Sequence, residues 1–383
     1  MPWKEISPVE QRLKFIADLH RGLYSMTDLC DRYSISRKTG YKWRQRHLEE
    51  GQTGLRDRSH APHSCPHRMP DEVADLILWA RLEHPDWGAR KLIKWLRPRC
   101  PEIQRWPAKS SGSNLLARMG LIPPTRRRHK PKHPGAVAPI THEPNDLWTA
   151  DFKGQFRTRD RVECFPLTIA DLHSRFLLTC HGLPSVATLG AWPVFESAFR
   201  EFGLPMAIRT DNGPPFCSKA IHGLSHLNVW WLRLGIQHQR IRPASPQENG
   251  AHERMHRTLK RAACRPVRAN RAAQQRAFDT FREEFNQERP HEAIDDEPPG
   301  SRYQTSSRPY TEKPPPIEYP GHFTVKRVTH QGTIRFRHKL FFLSRTLDTL
   351  PIGLEETDDG IWALYFQDLL LAKINERDMK LIF

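Results

Sequence analysis

The sequence predicts a multidomain protein: N-terminal all-α helix-turn-helix modules, a central α/β domain and a small C-terminal β-barrel. Three observations predict this division. Apolar residues recur at helical spacing through residues 6–121, strand and helix patterns alternate across 143–297, and short strands separated by turns follow residue 321. Segments rich in proline, glycine or basic residues lie between these regions. A chain of 383 residues is long enough for several domains.

The overall charge of +17 indicates a polyanionic partner. Lysine and arginine total 60 against 43 acidic residues, and a positive field attracts nucleic acid. A basic but otherwise ordinary protein remains the alternative. No apolar run approaches the roughly 20 residues of a membrane helix, and the N-terminal sequence MPWKEISPVEQ has no apolar stretch typical of a secretory signal. We therefore expect a cytoplasmic protein with no membrane partner.

Residues 1–50 predict a helix-turn-helix domain. Ser7, Pro8 and Glu10 form a helix start, with a cap, a first-turn proline and a capping box. A second helix is predicted near Ser25, and a third over residues 37–46. Trp43 is expected to pack inward, which leaves four basic residues of the third helix free to contact DNA, namely Arg37, Lys38, Lys42 and Arg44. The alternative is a helical bundle with a solvated basic face.

Residues 51–68 have linker composition, and residues 69–121 predict a second helix-turn-helix-like DNA-binding domain. Its helices are expected over 71–81, 90–96 and 113–119, with Gly120 ending the last. Residues 122–142 form a basic, proline-rich linker that is suited to lie along DNA phosphates. Its candidate DNA contacts are Arg126, Arg127, Arg128 and Lys130, and a plain charged linker is the competing interpretation.

The central domain is expected to span 143–297. Strands are predicted over 147–153, 163–170, 174–180, 206–210 and 236–241, and helices over 188–202, 251–263 and 271–287. Prolines crowd residues 298–320, which predicts a second linker. Six short strands within 321–383 then predict a small β-barrel.

Three acidic residues of the central domain stand in positions that favour chemistry. Asp151 lies inside an apolar strand, where an unpaired charge is unfavourable. Asp211 follows a buried strand and opens a turn. Glu253 lies one turn into a helix, after Gly250, which is expected to let the chain turn sharply.

Convergent carboxylates are the ligands that Mg²⁺ prefers, and a pair of such ions promotes phosphodiester cleavage and transfer. Mn²⁺ is a possible substitute. Each acid taken singly has another interpretation: a buried ion pair for Asp151, turn formation for Asp211, and a surface pair with Arg257 for Glu253. The three acids occur together, on two strands followed by a helix, and this arrangement is harder to explain by three separate structural roles.

The segments TADFKG, RTDNGPPF and SPQENGAHERMHRTLK resemble the three motifs of the retroviral-integrase-type DDE transposases, especially those of bacterial insertion sequences. The resemblance is close over 143–300 and looser elsewhere. It implies an RNase H-like catalytic core with Asp151, Asp211 and Glu253 as catalytic residues and metal ligands. The Asn-Gly step before Glu253 favours this residue over Glu248.

The resemblance also implies that Arg257 and Lys260, four and seven positions after Glu253, contact the DNA end; a solvated basic face is the alternative. The second and third acids are 42 positions apart, from 211 to 253, which is more than is usual in the family and indicates an insertion within 219–234. His252 and His238 are expected to be structural, and Asn212 either to orient Asp211 or to contact DNA.

The function expected from these features is that of a transposase or integrase. Such a protein binds the terminal repeats of a mobile element, cleaves donor DNA and transfers strands into double-stranded target DNA, acting as a homo-oligomer on DNA in the bacterial cytoplasm. Two alternatives remain: an RNase H-like nuclease without joining activity, and a non-catalytic DNA-binding regulator.

Overall fold

A computed structural model describes residues 7–59, 68–122, 139–218, 220–242 and 246–382 of the chain. It divides into two compact units, Met1–Arg68 and Met69–Phe383. The predicted contacts Arg126, Arg127, Arg128 and Lys130 lie outside the described residues. None of the helices in the described ranges has the length and apolar content needed to cross a bilayer.

The first unit contains three helices, α1 (Pro8–His20), α2 (Met26–Arg32) and α3 (Arg37–Glu50). The predicted capping box is confirmed: Glu10 N–H donates to Ser7 Oγ at 3.2 Å, and Ser7 N–H donates to Glu10 Oε2 at 2.9 Å. Ser25 caps α2 in the same way. The local sequence therefore sets where these helices begin.

Close packing of α2 and α3 requires glycine at position 40, because a Cβ there would lie 2.6 Å from Cys30 Sγ. Trp43 is buried as predicted, with the Arg12 guanidinium 4.0 Å from its ring centroid. A 3-10 helix, Gly51–Leu55, follows α3. The predicted linker start at residue 51 is wrong, because Leu55 is fully buried in this core and its carbonyl accepts a 2.8 Å hydrogen bond from Arg12.

The second unit begins with a helical module formed by α4 (Asp71–Glu83), α5 (Ala89–Leu96) and α6 (Lys109–Arg118). Its apolar core is centred on Ile77, Leu92 and Leu116. Polar contacts made by His84 and Arg90 attach this module to the central domain: His84 Nδ1 lies 3.2 Å from Glu284 Oε1, and Arg90 Nε donates to Asp296 at 2.7 Å.

The central domain is built on a mixed six-stranded sheet. Hydrogen bonding gives the order β4-β3-β1-β5-β6, with β2 beside the start of β3. β1 pairs antiparallel with β3 and parallel with β5, and β5 pairs parallel with β6. The strands are β1 (Leu147–Phe152), β2 (Phe156–Arg157), β3 (Glu163–Asp171), β4 (Leu177–Leu183), β5 (Ala207–Thr210) and β6 (Gln237–Arg240).

Four helices surround this sheet: α7 (Thr188–Phe202), α8 (His226–Arg233), α9 (Gly250–Ala262) and α10 (Arg271–Gln287). The bounds of α7 and α10 match the prediction. Helix α8 was not predicted from the sequence, and it occupies half of the 219–234 segment. Its Trp231 is fully buried in the central core, while Val229 packs into the apolar core of the C-terminal strands.

The C-terminal region consists of antiparallel strands, but the predicted barrel is not found among the described residues. A five-stranded sheet in the order β13-β12-β11-β10-β7 accompanies a β8–β9 hairpin. The two end strands of the larger sheet do not pair with each other, so no hydrogen-bonded ring forms. The strands are β7 (Thr324–Arg327), β8 (Thr333–Phe336), β9 (Lys339–Phe342), β10 (Pro351–Asp358), β11 (Ile361–Phe366), β12 (Leu369–Asn375) and β13 (Lys380–Ile382).

Residues 298–320 are a packed strap and not the free linker that their prolines predicted. Tyr303 and Tyr310 pack against the central core. Arg308 donates to the carbonyls of Pro205 at 2.6 Å, Leu234 at 3.1 Å and Gly235 at 2.9 Å. Proline restricts the chain without preventing such packing, and the aromatic and arginine side chains supply the contacts.

We predict that Arg308→Ala lowers the free energy of unfolding by about 2–3 kcal/mol, because three carbonyls lose a charged donor. Arg302→Ala is the matched control, since Arg302 makes exposed ion pairs with Asp295 and Glu297, and such pairs contribute less than about 1 kcal/mol. Urea unfolding followed by tryptophan fluorescence measures both. Equal losses in the two variants would contradict a structural role for the strap.

Candidate active site

Two of the predicted acids directly follow residues that pair with each other on adjacent parallel strands. Ala150 on β1 pairs with Thr210 on β5, so Asp151 and Asp211 come next on neighbouring strands, which lie roughly 4.8 Å apart in a sheet. The carboxyl ends of parallel strands meet at one edge, and this edge collects the two carboxylates. Ala150 and Thr210, the residues just before the two acids, are both buried.

Helix α9 brings the third predicted acid to the same edge. Asn249, the residue before α9, is buried, and its Nδ2 donates to Asp151 Oδ2 at 3.4 Å. Glu253 lies four positions later, one turn along the helix, and is exposed. The negative charge of Glu253 acts on Asp151 and helps to raise its pKa.

The electrostatics of this edge disfavour negative charge. Burial raises the pKa of Asp151 to about 7, with further increases from the charges of Asp211 and Glu253. Burial also raises the pKa of Asp211, opposed by the Gly213 N–H that donates to it at 3.1 Å. Two desolvated carboxylates beside a third acid are stabilised by a bound cation.

A network of buried imidazole and hydroxyl groups lies beneath Asp151. Thr168 Oγ1 contacts the Asp151 carbonyl at 3.0 Å, His252 Nε2 at 2.7 Å and His256 Nε2 at 2.7 Å. Thr149 Oγ1 lies 2.8 Å from His252 Nδ1. Burial lowers the pKa of His252 to about 3 and that of His256 to about 2, so both rings are neutral.

The network holds both rings from more than one side. Thr168 Oγ1 donates to the Asp151 carbonyl, and Thr149 Oγ1 donates to the Ala170 carbonyl at 3.3 Å. Both ring nitrogens of His252 contact threonine hydroxyls, and His256 Nδ1 lies 3.8 Å from Asp151 Oδ2.

The carboxylates at this edge are donors that suit a divalent metal ion. One ligand atom each from Asp151, His252 and His256 lie within 4.8 Å of one another, but both ring nitrogens of His252 already contact threonine hydroxyls. Asn249 Oδ1 is buried without a hydrogen-bond partner among the described residues. The predicted ligands Asp211 and Glu253 are not in that compact group. Sequence reasoning missed His256, for which the i, i+4 spacing from His252 was the available signal.

Glu248, the alternative third acid, is engaged elsewhere. Its carboxylate accepts from Arg242 Nε at 2.7 Å and from Arg242 N–H at 3.0 Å, which lowers its pKa. The predicted role of Gly250 is wrong: its φ is not in the left-handed region, and a Cβ there would meet only Arg254 at 4.0 Å. A standard helix start is enough at this position.

Other predicted residues have clear positions. His238 is structural as predicted, because its Nε2 lies 2.9 Å from Thr210 Oγ1, and burial lowers its pKa to about 4. Asn212 donates to the Ile241 carbonyl at 2.8 Å and so fixes the end of β6. All the predicted DNA-contacting residues within the described ranges are exposed: Arg37, Lys38, Lys42 and Arg44 on α3, and Arg257 and Lys260 on α9.

Family comparisons identify domains in two regions of the chain. The integrase core domain matches residues 141–246 and 234–299, which together include all three predicted acids. A homeodomain-like domain matches residues 8–56, and another matches residues 39–116. The chain therefore carries homeodomain-like helical domains followed by an integrase core.

Similar proteins come from bacterial insertion elements and retroviruses. The insertion element IS476 uncharacterized 39.2 kDa protein of Xanthomonas euvesicatoria is 28% identical over 56% of this chain and 60% of its own length. The IS407 uncharacterized 31.7 kDa protein of Burkholderia multivorans is 28% identical over 39% of this chain and 52% of its own. The chain thus spans only part of these relatives.

Two solved structures also align with the chain. The HTLV-2 integrase catalytic core domain in complex with magnesium is 17% identical, covering 42% of this chain and 98% of its own, with a TM-score of 0.34. The simian T-cell lymphotropic virus intasome in complex with the PP2A regulatory subunit B56 gamma is 16% identical, covering 78% of this chain and 97% of its own, with a TM-score of 0.37.

We predict that Asp151→Asn stabilises the metal-free protein at pH 8. The folded state holds a proton on Asp151 that the unfolded chain releases above its ordinary pKa of 3.8, so stability falls as pH rises from about 4 to the folded pKa of about 7. Asn cannot lose a proton, so the free energy of unfolding of the variant exceeds that of the wild type by on the order of 2–4 kcal/mol at pH 8, and by less at pH 5. Urea unfolding in EDTA at both pH values measures the difference, and a gain that is independent of pH would contradict it.

We also predict that Thr168→Val destabilises the protein by about 2–4 kcal/mol, because two buried imidazoles lose a hydrogen-bond partner. Thr179→Val, on neighbouring β4, is the control. The Thr179 side chain is half-buried and outside this network, so its loss is expected to stay below about 1 kcal/mol. Similar thermal unfolding of the two variants would contradict a structural role for the network.

Proposed function

We propose that this chain, whose integrase core follows homeodomain-like domains, is a transposase or integrase that binds the terminal repeats of a mobile element and catalyses DNA cleavage and strand transfer. The observation that carries the proposal is the β1–β5 register. It sets Asp151 and Asp211 side by side at a desolvated sheet edge, with α9 presenting Glu253 beside them.

The three acids are proposed as the ligands of Mg²⁺, with Mn²⁺ as a substitute. When bound, a pair of divalent cations supplies the positive charge that activates an attacking oxygen and stabilises the leaving oxygen of a phosphodiester. Asn249, which donates to Asp151, and Thr168, which contacts both histidines, hold the acidic edge in position. No covalent protein nucleophile is needed, because water or a DNA 3′-hydroxyl can attack.

The proposed partners are the double-stranded ends of the element and a double-stranded target. The exposed α3 side chains Arg37, Lys38, Lys42 and Arg44 suit the major groove. Arg257 and Lys260 extend from α9, the helix that carries Glu253, and are proposed to contact the DNA end. Two DNA ends must come together for insertion, so a homo-oligomer on DNA in the cytoplasm is proposed.

We predict that Asp151→Asn, Asp211→Asn and Glu253→Gln each reduce metal-dependent cleavage and joining at least about 100-fold. The ligands support several kcal/mol of charge stabilisation in the transition state, and every 1.4 kcal/mol is about tenfold in rate. Glu248→Gln is the matched control, because Glu248 is paired with Arg242, and it is expected to stay within about tenfold of wild type. The assay uses labelled element ends with Mg²⁺ or Mn²⁺.

The same assay separates the competing functions. Cleavage without any covalent joined product would identify a nuclease. Loss of activity in Glu248→Gln but not in Glu253→Gln would overturn the choice of the third acid. Failure of Mn²⁺ to bind the wild-type protein by calorimetry would favour a non-catalytic DNA-binding regulator.

A further inference from the structure

A cavity of 570 Å³ lies between the α4–α6 module and helices α9 and α10. Its walls are unusual in their charge, because five cationic side chains line it from four separate parts of the second unit. They are Lys91, Arg175, Arg254, Arg257 and Arg289. Only Arg257 belongs to the DNA contacts that the sequence predicted.

The cations of this cavity have no anionic partners within the described residues. Arg175 Nε and Nη1 are buried and make no hydrogen bond there. Arg289 is nine-tenths buried, and its guanidinium lies 5.7 Å from the Trp87 ring centroid but pairs with no described carboxylate. Buried donors without acceptors are unfavourable, and native proteins rarely leave them unmatched.

The two acids that line the cavity are occupied by other groups. Asp171 accepts from Ser174 N–H at 2.7 Å, Ser174 Oγ at 2.6 Å and Asn145 N–H at 2.9 Å. Glu292 pairs with Arg90 Nη1 at 2.5 Å. Neither carboxylate forms an ion pair with a cavity cation among the described residues, although the charge of Asp171 partly offsets the lowering of the Arg175 pKa.

The cations also act on one another. Burial and the neighbouring Arg289 lower the pKa of Lys91 to about 7. Burial and the charge of Arg254 lower the pKa of Arg175. Clustered, desolvated like charges favour an anionic ligand that supplies several acceptor oxygens.

We propose that this cavity binds a backbone phosphate of DNA, so that one strand is held by the α4–α6 module and the integrase core together. Guanidinium groups match phosphate oxygens in pairs, and four of the five cations here are arginines. This inference rests on the proposed function, because it assigns the phosphate to DNA.

The position of the cavity favours a DNA strand over a free anion. Arg254 and Arg257 lie on α9, directly after Glu253, so a phosphate held by them lies on the helix that carries the proposed ligand. The cavity wall also includes Thr149 and His252, which belong to the hydrogen-bond network beneath Asp151. A strand bound here thus runs close to the acidic edge.

The first test uses pyrophosphate as the probe on the full chain, followed by thermal unfolding. Pyrophosphate is expected to raise the Tm of the wild type. Arg175→Met and Lys91→Met are expected to abolish that rise while leaving the Tm without pyrophosphate unchanged or higher, because a repelling charge is removed. Arg175→Lys keeps the charge and is expected to retain part of the response.

Arg276→Met is the matched control, because Arg276 is exposed on α10 and outside the cavity; it is expected to respond like the wild type. A lower Tm for Arg175→Met without ligand, together with an unchanged pyrophosphate response in Lys91→Met and Arg175→Lys, would show a structural role and overturn the proposal.

The second test measures DNA binding against salt concentration. Each phosphate contact contributes about 0.9 to the slope of log K against log salt, so Arg175→Met and Lys91→Met are each expected to reduce the slope by about one, and Arg276→Met to leave it unchanged. A pyrophosphate response without any change in slope would indicate a free-anion site and overturn the assignment to DNA.

These outcomes are separable from failure of the proposed function. Wild-type protein that cleaves and joins DNA, with cavity variants of unchanged slope, overturns the cavity site alone. Wild-type protein that shows both expected binding effects but never cleaves DNA overturns the catalytic proposal and leaves the phosphate site supported.

Discussion

The parallel pairing of β1 with β5 is the constraint on which the site depends. It places two carboxylates on neighbouring strand ends, where burial raises both pKa values and the charge of Asp211 raises that of Asp151 further. Such an edge is unfavourable in isolation. The helix that closes over it has Asn249 at its start and Glu253 in its first turn. The edge therefore lowers stability unless a proton or a cation offsets its charge.

The polar network beneath this edge explains how the helix keeps its orientation. Thr168 joins two histidines of α9 to the backbone of Asp151. The two threonines and two histidines of this network are buried, and each ring contacts at least one threonine hydroxyl. The network therefore restrains both the rotation of α9 and its distance from β1, which are the two variables that set where Glu253 stands.

The second unit is held together by contacts distant in sequence. The α4–α6 module contacts the central domain through Arg90 and His84, and the strap contacts it through Arg308. Val229 of α8 packs into the apolar core of the C-terminal strands. Because these contacts bring the module against α9 and α10, they also create the cationic cavity, whose lining residues span 91 to 293.

The sequence alone determined the features encoded within a few neighbouring residues. Ser7 and Glu10 start α1, apolar spacing defines α7, and the burial of a strand around Asp151 follows from its own apolar neighbours. Tertiary structure decided what depends on distant partners. Prolines before residue 320 predicted a linker, yet Arg308 and the tyrosines pack this segment against the central domain. The sequence could not show that His256 contacts Thr168, or that Arg175 Nε and Nη1 are buried without a hydrogen-bond partner among the described residues. Hydrogen-bond satisfaction and charge pairing are properties of the assembled fold, because they depend on residues that only folding brings into contact.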